Sequence, residues 1–130
     1  MPWFDLSEGT PATDLNLVTF FQTGTLTTGT GISKLAFPTA VTITSVIAAV
    51  GTSPTGADLV VDVNKNGTTI FTTQANRPTV PDADADGVGA NATPDVTSIS
   101  AGEYLTVDID QIGSTEAGSD LTVSVEWSVA

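Results

Sequence analysis

Apolar and polar residues alternate most cleanly at the C-terminal end of the chain. Over 121–129, Leu121, Val123, Val125, Trp127 and Val129 alternate with Thr122, Ser124, Glu126 and Ser128. A period of two predicts a strand with one buried and one solvated face. Residues 104–110 repeat the pattern, with Leu105, Val107 and Ile109 against Thr106, Asp108 and Asp110. The turn-rich stretch from Ile112 to Ser119 lies between them, so the two strands are expected to form a hairpin. A second hairpin is expected over 58–73. Leu59, Val61 and Val63 face one way, Asn66-Gly67 supplies the positive-φ residues of a tight turn, and Thr68–Thr73 returns.

The first half is less regular. Leu15–Phe21 and Ile32–Phe37 read as strands separated by a Gly/Thr loop over 23–31. Val41 and Ile43 start on one phase, and Val46, Ala48 and Val50 resume on the other. A β-bulge near Ser45 accounts for that slip. Asp95–Ile99 is a weaker strand, and 74–94 is a long Pro/Ala/Asp/Gly stretch without strand pattern. Loops of that length in a compact domain are usually functional or mobile. The composition agrees with strands: 23 Thr sit among many Val and Ile, and β-branched side chains favour a pleated surface. The expected fold is all-β, an antiparallel jelly-roll-like β-sandwich of about eight strands. Residues 1–13 are expected to be an N-terminal arm and 14–130 a single sandwich domain.

Charge narrows the partners. Fifteen acidic residues against 3 basic ones give a net charge of −12. Each contact to a nucleic-acid phosphate needs a Lys or Arg, so nucleic acid is excluded, and an anionic membrane surface is disfavoured in the same way. No Cys and no His are present. That removes disulfides, thiol nucleophiles, Cys- or His-ligated metals and the commonest general base. The start of the chain has neither the basic nor the apolar region of a secretory signal, and the apolar run Val46–Val50 is far too short to span a membrane. Synthesis in a cytoplasm is expected.

Three groups of residues invite chemistry. Asp82, Asp84 and Asp86 followed by Gly87 match the first half of an EF-hand loop, which makes calcium a candidate ligand. Position 12 of that frame is Thr93, where a bidentate Glu belongs, and the alternative is a solvated acidic loop. Asp108 and Asp110 share a face at a spacing that a glycosidase pair could use, but nothing in the sequence marks a cleft around them; Asp62 and Glu126 also fall at outward positions, and a solvated acidic face is the simpler reading. No catalytic residue is assigned, and the chain is not expected to be an enzyme. Among the aromatics, Trp127 is in phase with core residues and Tyr104 is out of phase with Leu105. Trp3, Phe4 and Leu6 have no local pattern to bury them, and they are the candidate interface residues. The sequons at Asn66 and Asn91 have no route to a glycosylating enzyme without a signal peptide.

The phrases Gly56–Phe71 (GADLVVDVNKNGTTIF) and Ala101–Ser114 (AGEYLTVDIDQIGS), together with Gln74-Ala75-Asn76-Arg77-Pro78, resemble β-rich virion proteins and fibre-like domains of tailed bacteriophages. The resemblance covers roughly residues 40–128. A chain that runs from Met1 to Ala130 with a short arm and no spare domain looks most like a capsid decoration, or cement, protein. That resemblance implies a homotrimeric jelly roll on the outside of a virion. It would bind the major capsid protein and stabilise contacts between its subunits. The alternative is a tail-fibre-like or carbohydrate- or calcium-binding β-sandwich module.

Overall fold

A computed structural model describes residues 15–130. The expected arm over 1–13, with Trp3, Phe4 and Leu6, lies outside the described residues. The strands are β1 (Asn16–Thr25), β2 (Gly29–Ala36), β3 (Val41–Thr52), β4 (Leu59–Lys65), β5 (Thr68–Thr69), β6 (Thr79–Val80), β7 (Ser98–Ile99), β8 (Tyr104–Gln111) and β9 (Ser119–Val129), with one 3-10 turn at Gln74–Asn76.

Two antiparallel sheets result. One has the order β1-β9-β3-β7; the other has β2-β8-β4-β5, with β6 also paired to β4. Apart from the β4–β5 hairpin and β6, each successive strand changes sheet. With β6 set aside, the remaining eight strands interleave as a jelly-roll-like sandwich, the fold class expected from the sequence. The inward phases meet between the sheets: Val61 and Val63 of β4 and Leu105 of β8 face Val46 of β3 and Val125 of β9, and these five side chains are essentially sealed from solvent. Trp127 closes one end, edge-on to Phe37 with ring centroids 5.6 Å apart.

The bulge falls where the phase slip puts it. The β3–β9 register shifts between Ile43 and Ser45, so Thr44 is the extra residue. Its hydroxyl donates to the Glu126 carbonyl and to Glu126 Oε1 (2.7 Å), which leaves Val41 and Ile43 on the same buried face as Val46, Ala48 and Val50. The β4–β5 hairpin also turns at Asn66 and Gly67 as expected, with φ of 50° and 86°.

Three connections differ from the sequence reading. β8 and β9 are not a hairpin, because β8 lies between β2 and β4 while β9 lies between β1 and β3. The residues between them cross from one sheet to the other, held by Thr55, whose N–H donates to the Glu116 carbonyl (2.9 Å) and whose carbonyl accepts from Thr115 (2.9 Å). The loop expected over 23–31 is mostly strand, with only Leu26–Thr28 between β1 and β2; Leu26 is buried, its N–H donating to the Gly118 carbonyl. The return strand expected over 68–73 stops at Thr69; Ile70 N–H still donates to the Val63 carbonyl (2.9 Å), and Ile70 and Phe71 are both fully buried. The Ile70 carbonyl then accepts from Asp95 and Val96 N–H.

The stretch 74–94 does structural work. Residues 87–92 run along the edge of β3, exchanging hydrogen bonds between Val46 and Ala92 (2.7 and 2.8 Å), while Gly89 N–H donates to the Ala48 carbonyl (2.8 Å). Gly89 is required by this close approach, since a Cβ there would collide with the Thr79 carbonyl oxygen.

Candidate functional site

The acidic loop is tied down by its own carboxylates. Asp82 Oδ1 accepts Gly56 N–H (2.8 Å), Asp84 Oδ2 accepts Gly87 N–H (2.9 Å) and Asp86 Oδ1 accepts Val88 N–H (3.0 Å). Asp58 adds a fourth link, its Oδ1 accepting Asp82 N–H. Bonding to Val88 N–H holds the Asp86 carboxyl below its ordinary pKa. Among the described residues, no group of three or more carboxylates is gathered around one point where a metal could sit. Each carboxylate of this loop instead satisfies a separate backbone donor of a turn.

The second acidic group lies on the outward phase of the β2-β8-β4 sheet. Asp108 and Asp110 are both engaged: Asp108 Oδ1 accepts Gly31 N–H (2.8 Å) and Asp110 forms an ion pair with Arg77 (2.7 Å). Asp62, which the sequence reading placed on a solvated face, sits directly across from Asp108 in the β4–β8 register and is only 5% exposed. It is covered because the chain after β5 folds over β4. Thr69 hydroxyl (2.7 Å) and Val63 N–H (2.8 Å) donate to Asp62 Oδ1, and the Gln74 amide approaches Oδ2. Burial pushes the Asp62 pKa up, more than these hydrogen bonds pull it down, and the nearby Asp110 charge adds to the rise.

The three basic side chains are spent on this same sheet. Arg77 pairs with Asp110, Lys65 approaches Glu103 (3.7 Å), and Lys34 lies 4.4 Å above the Tyr104 ring. A groove of about 440 Å³ runs between residues 75–79 and 90–93, lined by Asn76, Arg77, Thr79, Asn91 and Thr93 among others. Its one ionisable side chain is Arg77, so the groove holds no acid–base or nucleophile pair.

The opposite sheet carries the feature that sequence reasoning missed. In β1, Val18 and Phe20 point to the core, opposite Val125 and Val123 of β9. The outward phase is also apolar: Leu17 is 63% exposed and Phe21 65% exposed, with Leu15 beside them at the start of the strand. Thr19, Thr122 and Ser124 lie on the same face, and Glu126 of β9 is directly across from Leu17, its carboxylate accepting from the Thr44 hydroxyl (2.7 Å). The available signal was Leu17 and Phe21 in the polar phase of an alternating strand, since large apolar residues there mark contact surfaces more often than free ones.

No family model matches the chain, and no curated protein matches it. Among solved structures it is similar to a chain of the "Cyanophage Pam1 capsid asymmetric unit", with a TM-score of 0.56, 14% sequence identity, and 100% of each chain covered. The shared feature is the fold. Side-by-side identity this low transfers no individual residue.

Proposed function

We propose that this chain is a tailed-phage virion structural protein, and specifically a capsid decoration or cement protein. In this reading it acts without catalysis on the outside of the shell, as a homotrimer that binds the major capsid protein and stabilises contacts between its subunits. One observation carries the reading: a fold match that spans the whole of this chain and the whole of a chain from a phage capsid. The phage-like phrases at 56–71 and 101–114 support it independently.

The physics fits a binding role. The carboxylates that could suggest chemistry are bound to turn N–H groups or to Arg77, and the acidic surface keeps unassembled copies apart and soluble. A shell is stabilised by area buried across its seams, and a trimer multiplies the contacts of a small protein through avidity. In this reading the arm residues Trp3, Phe4 and Leu6 meet the shell or a neighbouring protomer.

Co-sedimentation of the purified chain with empty shells of the cognate phage tests this. Saturable binding that raises the temperature of shell disruption is expected. Deleting residues 1–13 should abolish binding and leave the sandwich folded. Shells that neither bind the chain nor gain stability from it would remove the decoration reading, and a truncated chain that binds normally would remove the arm's role.

A further inference from the structure

Of the five asparagines, only Asn66 is followed by glycine. In an Asn-Gly pair the backbone nitrogen that follows can attack the side-chain amide, because glycine has no Cβ to shield it. Asn66 and Gly67 are the exposed central residues of the β4–β5 turn, and Gly67 N–H donates to no acceptor among the described residues. The nucleophile is therefore free and open to water. The comparable pair Asp86-Gly87 is closed, since Gly87 is buried and its N–H donates to Asp84 Oδ2 (2.9 Å).

The amide of Asn66 is held at both ends by the start of β8. Its Nδ2 donates to Glu103 Oε2 (2.8 Å), and its Oδ1 accepts Tyr104 N–H (3.2 Å). Asn66 N–H adds a third bond, to the Tyr104 carbonyl (3.0 Å). Glu103 is itself fixed. Its Oε1 accepts Ser100 N–H (2.6 Å) and lies 3.7 Å from Lys65 Nζ, which also donates to the Ser98 carbonyl (3.2 Å). Bonding to Ser100 N–H holds the Glu103 carboxyl below its ordinary pKa, so at neutral pH it is an acceptor for Nδ2.

We propose that Asn66 is a deamidation site that the Glu103–Tyr104 clasp holds closed, and that modification leaves the clasp permanently open. When the amide comes free, Gly67 N attacks Asn66 Cγ. The N–Cγ bond forms, the Cγ–Nδ2 bond breaks, and ammonia leaves with the proton of Gly67 N–H. Water then opens the cyclic imide at one of its two carbonyls, leaving aspartate or isoaspartate at position 66. Either product replaces the Nδ2 donor with a carboxylate, so two acceptors of like charge meet at Glu103 Oε2. Isoaspartate also adds a backbone carbon to a two-residue turn that has no slack for it.

Peptide mass spectrometry of the whole chain, aged at mildly alkaline pH, reads deamidation at each asparagine. Folded wild type should react at Asn66 at least about tenfold more slowly than the same chain in concentrated urea, and Glu103→Ala should speed the folded chain about tenfold. Asn76 and Asn91, both exposed, should react alike in wild type and Glu103→Ala, which shares the wild-type circular dichroism. Asn66→Asp, one of the two products, should melt about 3–5 °C lower than wild type at neutral pH, and by less in a Glu103→Ala background. A folded wild type that reacts at Asn66 as fast as the unfolded chain, or as fast as Glu103→Ala, overturns the clasp. An Asn66→Asp chain as stable as wild type overturns its permanent opening.

Discussion

Ile70 and Phe71 are neighbours in sequence, and a strand cannot bury both of them on one face. In this fold both are fully buried, because strand pairing ends at Thr69 and the chain beyond it folds back over β4, its Ile70 carbonyl accepting from Asp95 and Val96 N–H. Truncating each to alanine therefore has a defined consequence. A buried Ile→Ala costs about 2–5 kcal/mol and a buried Phe→Ala about 3–5 kcal/mol, from lost transfer energy plus the cavity left behind. Replacing the pair separately should thus give two large losses of similar size. With a urea m-value of about 2 kcal/mol/M, a loss of about 4 kcal/mol moves the unfolding midpoint down by about 2 M. The assay is urea denaturation of wild type, Ile70→Ala and Phe71→Ala, followed by circular dichroism at one protein concentration, since self-association makes stability concentration-dependent. If residues 68–73 were a continuous strand, one of the two would face solvent and its alanine variant would fall within about 0.5 kcal/mol of wild type. One silent variant of the two would refute the departure of the chain at Thr69.

Other expectations follow from the same contacts. Burial raises the Asp62 pKa, so its favourable contribution is fully present below the ordinary carboxylate range and is lost as pH rises through the folded-state value. Asp62→Asn should gain melting temperature relative to wild type as pH is raised from 3 to 7, and a difference that is flat or falls with pH would contradict this. Asp95 has the opposite sign: Thr73 N–H lowers its pKa, so its contribution is present above the ordinary range and is lost on acidification. Asp95→Asn should cost stability at pH 7 and progressively less towards pH 3, measured in the same melts. Gly89→Ala should lose about 1–3 kcal/mol and speed amide exchange at Ala92 while leaving β9 protected, because the added Cβ pushes 87–92 off β3. Calcium at millimolar concentration should leave the melting temperature where EDTA leaves it, given that Asp82, Asp84 and Asp86 are each held by a turn N–H; a rise abolished by Asp84→Asn would make the loop a calcium site.

Much of the sandwich is legible in the sequence because alternation reports burial directly. Thr44 is the instructive success, since a one-residue slip of phase in 41–50 can only be absorbed by a bulge. Alternation does not say which sheet a strand joins. β8 and β9 each read as half-buried strands joined by a turn-rich segment, and only the contacts of Thr55 with that segment carry the chain across. Asp62 was misread for a related reason. Its phase is outward, but Thr69 and Gln74, seven and twelve residues on, come back over it, and no local pattern encodes such a cover. The 1-3-5 spacing of Asp82, Asp84 and Asp86 serves turns as well as ligands, and the sequence does not show which backbone N–H groups the carboxylates meet. Leu17 and Phe21 were visible as apolar residues, but their exposure depends on β1 being an edge strand of the sandwich.

The most direct test of a role on the capsid surface is a cryo-electron microscopy reconstruction of empty cognate shells with and without the purified chain. A decoration protein will appear as added density on the outer surface, in threefold clusters that straddle seams between major capsid subunits. Shells whose outer surface is unchanged at saturating chain, or density confined to the tail, would contradict it.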